Sequence, residues 1–162
     1  MSHMKLQIGD KAPDFKISSQ PDKSTSLRDY TGKWIVLYFY PRDNTPGCTL
    51  EARDFSCLVD EFAILDAVIL GVSKDSLASH RNFITRHNLN IELLSDPGSE
   101  VMKSYGVWRM KNMHSREFPG AVRSTFLIDP EGRIAAIWDN VRAKGHAEAV
   151  LGYLKKILEQ TG

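Results

Sequence analysis

The chain has 162 residues and a formal net charge of +1, and 42% of its residues are hydrophobic and 25% charged. This size and composition predict one globular domain with a hydrophobic core. The balanced charge excludes a basic surface that would drive binding to nucleic acid or to an anionic membrane. No apolar run approaches the roughly 20 residues of a transmembrane helix.

The first residues and the cysteine count bear on the origin and setting of the chain. Met1-Ser2-His3-Met4 resembles a cloning remnant ahead of a native start, so residues 1–3 are set aside and the domain is expected to cover 4–162. Two cysteines, Cys48 and Cys57, are too few for a disulfide framework. With no signal-peptide core at this end, a reducing, cytoplasmic setting is expected.

The predicted elements begin with a short strand near Phe15 and Ile17, after a turn-rich segment. The apolar run 34–40 predicts a central strand that is covered on both faces and ended by Pro41. In chain order there follow a helix over 49–62, a strand over 67–72, a helix capped by Asp75 or Ser76 that runs to about His87, a strand over 93–95, a short helix over 100–105, strands over 124–128 and 134–138 joined by a turn, and a closing helix with an apolar stripe.

The order of these elements determines the predicted fold class. Strands that alternate with helices predict a parallel core, and the final hairpin adds an antiparallel edge. The fold class is therefore α/β, a single domain of thioredoxin-like fold with a mixed central sheet and helices on both faces.

Cys48 is predicted to lie in the first turn of the helix that follows the central strand. A helix N-terminus has unpaired N–H groups and a partial positive charge, so it favours a thiolate over a thiol. The thiolate is the nucleophilic form of cysteine. The position therefore predicts a reactive cysteine, although a lone cysteine after a Pro-Gly turn is more often inert than catalytic.

A joint pattern resolves that ambiguity. The string Pro41-x-x-x-Thr45-Pro46-Gly47-Cys48, followed far along the chain by Arg123-Ser124-Thr125-Phe126, resembles the active-site signature of the peroxiredoxins. The longer segment 38–51 is similar to the bacterioferritin-comigratory, or peroxiredoxin Q, branch. The resemblance covers nearly the whole chain. It implies a thiol peroxidase that reduces hydrogen peroxide and organic hydroperoxides, needs no metal, haem or flavin, and is a monomer or weak dimer.

The residue types in this signature suit peroxide reduction. A thiolate attacks one peroxide oxygen while negative charge moves onto the other, so fixed donors aimed at that oxygen lower the barrier. Arg123 is expected to favour the thiolate and to donate to the peroxide through its planar fork. The Thr45 hydroxyl is expected to accept from the peroxide and donate to sulfur, and the N–H groups of Gly47 and Cys48 complete the donors.

Two further residues are expected to support the site. Pro41 stiffens the loop and shields the site from water. Glu51 follows Cys48 by one helical turn and is expected to hold Arg123 in place.

The second thiol of the family is missing from its usual positions. Related proteins carry it five residues after the first cysteine or in the following helix, at positions that match Arg53 and Ile84 here. Cys57 lies nine residues from Cys48, which places the two side chains on opposite sides of one helix and about 13 Å apart along it. A disulfide needs Cα atoms within about 7 Å. We expect Cys57 to be a buried structural residue, because a free cysteine behaves as a small hydrophobic residue. The alternative is that Cys57 resolves Cys48 after most of the helix melts, or forms a disulfide between chains.

The resulting hypothesis is a one-cysteine mechanism, in which Cys48 becomes a sulfenic acid that an external thiol resolves. Thioredoxin, glutaredoxin or glutathione would supply that thiol. Two other functions stay open at this stage. A thioredoxin-like disulfide oxidoreductase uses C-x-x-C, where this chain has Thr45 in place of the first cysteine. A non-enzymatic holdase or redox sensor is neither favoured nor excluded.

The remaining residues with chemical potential have simpler interpretations. The four histidines beyond residues 1–3 have no metal-ligand spacing, so surface or core positions are expected and no metal site is predicted; they are His80, His87, His114 and His146. Four apolar residues lie between Gly106 and Arg123 and are expected to pack that stretch, as a loop, onto the domain. An apolar collar near Cys48 for organic or lipid hydroperoxides is the alternative; the four are Trp108, Met110, Met113 and Phe118.

Overall fold

The computed structural model describes residues 5–161, so the expected cloning remnant lies outside the described residues. Within them the chain forms nine strands and five α-helices: β1 (Lys16–Gln20), β2 (Lys23–Ser26), β3 (Trp34–Phe39), α1 (Pro46–Cys57), α2 (Val59–Ile64), β4 (Ala67–Ser73), α3 (Leu77–His87), β5 (Glu92–Ser95), α4 (Glu100–Ser104), β6 (Trp108–Met113), β7 (Arg116–Ala121), β8 (Ser124–Ile128), β9 (Ile134–Trp138) and α5 (His146–Thr161). None of these helices is long and apolar enough to cross a membrane.

Seven strands form one mixed sheet in the order β2-β1-β5-β4-β3-β8-β9. The central strands β3, β4 and β5 run parallel, as expected for strands joined by helical crossovers. Strand β8 pairs antiparallel with β3, and β9 with β8. The predicted α/β class with a mixed sheet and a final antiparallel hairpin is confirmed.

Strand β3 is buried on both faces, as its apolar sequence predicts. Val36 and Tyr38 belong to a core cluster that packs against α1, α2, α3 and α5. Ile35, Leu37 and Phe39 point to the other face and join a cluster that includes residues of α4. This alternation places helices on both faces of the sheet.

The predicted helix over 49–62 is two helices in the structure. It begins earlier, at Pro46, because proline suits the first helical position, where the N–H group has no partner in the helix. It ends at Cys57, and α2 starts at Val59. Leu58 between them has φ −99° and ψ 4°, which bends the chain toward the sheet and lets Phe62 reach full burial.

The stretch after Gly106 is a hairpin, not a loop packed onto the domain. Strands β6 and β7 form a separate two-stranded sheet, joined through His114 and Ser115, which both have positive φ. Of the four apolar residues in this stretch, Trp108 packs against the core, but Met110, Met113 and Phe118 are 63%, 56% and 38% exposed. The packing prediction is therefore wrong for those three, because the hairpin projects from the sheet that would have covered them.

Candidate active site

The antiparallel pairing of β3 with β8 creates the site. Phe39, the last residue of β3, pairs with Ser124, the first residue of β8. Arg123 is the residue before β8, so it lies beside the end of β3. At that point the chain enters the loop to α1. The structure brings Cys48 and Arg123 together although 75 residues separate them.

Cys48 is a free thiol at the third position of α1 and only 1% exposed. The backbone N–H of Thr49 bonds the carbonyl of Thr45, so the N–H groups of Gly47 and Cys48 come before the first helical hydrogen bond. Such groups carry the positive end of the helix dipole. The sulfur thus lies where an anion is stabilised.

Arg123 bridges Cys48 and Glu51. Its Nη2 donates to Cys48 Sγ over 3.4 Å, and its Nη1 donates to Glu51 Oε1 over 2.5 Å. Although burial lowers the pKa of the guanidinium, Glu51 and Cys48 raise it above its ordinary value. The planar fork presents its N–H groups in fixed directions, so it holds both acceptors in one defined geometry.

Glu51 is a fully buried carboxyl group one helical turn after Cys48. Burial raises its pKa to about 7, against the attraction of Arg123, which lowers it. Its second oxygen, Oε2, has no hydrogen-bond partner within residues 5–161, and neither has the hydroxyl of the buried Tyr38. The one hydrogen bond of this carboxyl group within residues 5–161 is therefore the bond to Arg123.

Gly47 permits the close approach of Arg123 to the start of α1. A Cβ atom at this position would lie 3.1 Å from Arg123 Nη2 and 3.8 Å from its Cζ. Contacts this short crowd a side chain, so any larger residue would push the guanidinium away.

Thr45 and Pro41 flank the entrance to the helix and are both partly buried. Thr45 is the N-cap residue of α1, and its hydroxyl donates to the carbonyl of Arg42 over 2.8 Å. This contact differs from the predicted donation to sulfur, because a hydroxyl has one hydrogen to give. Its lone pairs remain available to accept a hydrogen bond.

Cys57 is exposed, so the prediction that it is a buried structural residue is wrong. It ends α1, two and a half turns beyond Cys48. Because Cys48 faces the core, a residue on the opposite side of the same helix faces solvent. The spacing in the sequence predicted that the side chains of Cys48 and Cys57 point to opposite sides of the helix. Because Cys48 is buried, that prediction implies an exposed Cys57.

A buried polar network behind the loop was missed in the sequence. The carboxylate of Asp43 accepts hydrogen bonds from Tyr40 Oη at 2.5 Å, Ser79 Oγ at 2.8 Å and His80 Nδ1 at 2.7 Å. His80 Nε2 bonds the carbonyl of Leu94 at 2.9 Å. Both partners of the imidazole are acceptors, so both of its nitrogens donate. His80 occupies the core, one of the two places expected for it, and ties α3 to the loop before Cys48.

Asp43, Asp75 and His80 are also the one group within residues 5–161 whose geometry could hold a metal ion, with ligand atoms within 4.8 Å of one another. Asp75 Oδ2 accepts from the N–H of Asp43 and from Ser73 Oγ. The atoms that would bind an ion are thus committed to the network that holds the loop.

Comparison with known proteins gives one consistent result. The model of the AhpC/TSA family matches residues 8–137. Peroxiredoxin Bcp of Bacillus subtilis is 46% identical over 157 residues, which cover 97% of this chain and 100% of that protein. Peroxiredoxin Bcp of Xanthomonas campestris is 41% identical over 160 residues, which cover 99% of this chain and 100% of that protein.

Solved structures agree with these relatives. A cysteine-to-serine mutant of PrxQ from Xylella fastidiosa matches with a TM-score of 0.89 and 39% identity over 98% of this chain and 99% of that one. The bacterioferritin comigratory protein of Xanthomonas campestris, studied for alkyl peroxide reduction, matches with a TM-score of 0.83 and 42% identity. The match covers 88% of this chain and 90% of that one.

Proposed function

Because the chain belongs to the AhpC/TSA family and is a peroxiredoxin, we propose that it reduces hydrogen peroxide and organic hydroperoxides at Cys48. The observation that carries this assignment is the 3.4 Å contact between Arg123 Nη2 and the buried Cys48 Sγ at a helix N-terminus. A sulfur so placed is stabilised as a thiolate, the form that attacks an O–O bond.

The reaction proceeds by displacement at oxygen. The thiolate attacks one peroxide oxygen, an S–O bond forms as the O–O bond breaks, and the other oxygen leaves as hydroxide or alkoxide. The proton lost by the thiol returns to that oxygen, so thiol and hydroperoxide give sulfenic acid and water or alcohol. Sulfur is oxidised by two electrons and no metal or organic cofactor takes part.

Each neighbouring residue has a proposed role in this displacement. Arg123 donates to the peroxide as charge moves from sulfur to oxygen, and the N–H groups of Gly47 and Cys48 add further donors. The Thr45 hydroxyl accepts from the peroxide, since its hydrogen is given to Arg42. Glu51 holds the guanidinium through a 2.5 Å hydrogen bond.

The loop that contains Thr45 also shapes the entrance to the site. Pro41 is partly buried at the end of β3 and is proposed to shield the sulfur from bulk water. Water exclusion strengthens the interaction of Cys48 with the donors around it.

We propose that an external thiol completes the cycle. Cys57 is exposed at the far end of α1, and the length of helix between the two sulfurs exceeds what a disulfide spans. A thiol of thioredoxin, glutaredoxin or glutathione would condense with the sulfenic acid and release water. A second thiol would then reduce the mixed disulfide.

The test measures both half-reactions. Stopped-flow mixing with peroxide should show rapid oxidation in the wild type and in Cys57→Ser, and none in Cys48→Ser. Mass spectrometry after one equivalent of peroxide should find sulfenic acid or an adduct of added thiol at Cys48. An internal Cys48–Cys57 disulfide would refute the one-cysteine mechanism, and peroxide consumption by Cys48→Ser would refute the site. A thioredoxin-like oxidoreductase is not favoured, because Thr45 replaces the first cysteine of C-x-x-C.

We also propose that residues 4–162 act as one domain, as a monomer or weak dimer in the cytoplasm. The two free cysteines support a protein of a reducing compartment. Sedimentation analysis at micromolar concentration tests the oligomeric state.

A further inference from the structure

Lys111 differs from its neighbours on the projecting hairpin. The residues from Met110 to Pro119 are all exposed except Lys111, which is partly buried. A lysine on a protruding hairpin ordinarily extends into water, since ammonium groups are strongly hydrated. Here the side chain lies along β7 instead.

The path of this side chain is defined by two contacts. Lys111 pairs across the hairpin with Phe118, yet its Nζ donates to the carbonyl of Ala121 over 2.8 Å. The aliphatic stem therefore runs along β7 toward its end. It crosses Gly120, where a Cβ atom would lie 2.8 Å from Lys111 Cδ. Glycine at this position leaves the groove that the lysine fills.

This path ends at Ala121, two residues before Arg123, whose Nη2 lies 3.4 Å from Cys48 Sγ. The charges of Arg123 and Cys48 both act on the ammonium group: burial and Arg123 lower the pKa of Lys111, and Cys48 raises it. The other titratable groups that interact with this charge cluster are Glu51 on α1, Tyr38 on β3 and His146 on α5.

We propose that Lys111 is a second cation of the peroxide-reducing site, a positioning residue that fixes the end of β7 before Arg123 and adds positive charge that favours the Cys48 thiolate. The inference rests on the proposed function of Cys48. Two cations close together repel each other, and an anion near both relieves that repulsion. The thiolate is such an anion, so Lys111 acts on the reaction through Cys48 and Arg123 without contacting the peroxide.

The experiment compares Lys111→Met, which keeps the length of the side chain and removes its charge, with Lys111→Arg, which keeps the charge. The rate of Cys48 oxidation by hydrogen peroxide is measured as a function of pH. One charge in a partly solvated part of a protein shifts the pKa of a neighbouring group by roughly half a unit to one unit. In Lys111→Met the midpoint of the pH–rate profile should move to higher pH by that amount. At pH values below the midpoint, oxidation should be about three- to ten-fold slower than in the wild type. Lys111→Arg should stay within about two-fold of wild type.

Two controls separate the charge from other effects. Lys156→Met removes an exposed lysine from α5 and should leave the profile unchanged. Alkylation by iodoacetamide also needs the thiolate but needs no peroxide. Measured in a Cys57→Ser background, it reports the effect of Lys111 on Cys48 even if the proposed peroxidase function fails.

An unchanged midpoint in Lys111→Met, in both oxidation and alkylation, would overturn the proposal. Equal losses of rate in Lys111→Met and Lys111→Arg without a shift would also overturn it, since they would trace to packing alone.

Discussion

Replacing Gly47 by alanine tests whether the reaction depends on the close approach of Arg123 to Cys48. The new Cβ would stand 3.1 Å from Arg123 Nη2, and the ordinary contact distance begins near 3.4 Å. The guanidinium must therefore move by a few tenths of an ångström. Its 3.4 Å contact with Cys48 Sγ lies on the same nitrogen, so this contact is the one that lengthens or turns.

Rate and stability should change in opposite directions. A hydrogen bond to a charged group contributes about 1.5–3 kcal/mol, and losing around half of it slows oxidation about four- to twelve-fold. Alanine in place of a helical glycine raises the free energy of unfolding by up to about 1 kcal/mol. General damage to the fold would lower both quantities.

Gly152→Ala is the matched control. Gly152 lies on the exposed side of α5, and a Cβ there would meet nothing within 4 Å. Stopped-flow oxidation by hydrogen peroxide and urea unfolding are measured for both variants. Gly152→Ala should gain stability and keep the wild-type rate. Wild-type oxidation by Gly47→Ala would refute the reasoning, because the reaction would then tolerate a displaced Arg123.

Three more predictions concern the groups around the sulfur. Arg123→Lys keeps a charge but lacks the planar fork that spans Glu51 and Cys48, so stopped-flow oxidation should slow about 10- to 100-fold; a change under two-fold would contradict the bridging role. Burial raises the pKa of Glu51 to about 7 in the folded state, so wild-type stability should fall as pH rises from about 4.5 to 7. In Glu51→Gln, the free energy of unfolding measured by urea titration should not show this fall of up to about 3 kcal/mol. An unaltered pH dependence would argue against a buried proton on this residue. His80→Ala should reduce the free energy of unfolding by about 1–3 kcal/mol, since it leaves the buried Asp43 carboxyl group without one of its hydrogen bonds, and a loss below about 0.5 kcal/mol would show this contact to be dispensable.

Local signals in the sequence were sufficient for the elements that build the site. The apolar run 34–40 predicted β3, and the Pro-Gly-Cys turn predicted a helix start at the reactive sulfur. The joint motif predicted that Arg123 lies near Cys48, which the 3.4 Å contact agrees with. Each of these features follows from residues close in the chain or from a resemblance that covers nearly all of it.

Features that depend on the surroundings of a residue were not predictable. The hairpin β6–β7 lacks an Asn-Gly turn, and its His114-Ser115 pair gives no comparable signal. His80 finds Asp43 only when α3 packs behind the loop, which no spacing in the sequence indicates. Cys57 is small and apolar, and residues of its type are commonly buried, but its direction on α1 is set by the burial of Cys48.

The antiparallel register between β3 and β8 ties chemistry to the order of folding. Phe39 and Ser124 are distant in the chain, so their pairing closes a long loop and must await the β-strands that flank it. A helical segment such as α1 exchanges with unfolded chain within microseconds, but before the strands pair its cysteine has no guanidinium beside it. During refolding, peroxide reduction should therefore return with the sheet and lag behind helical content, which makes the reaction itself a reporter of when the last central strand is in place.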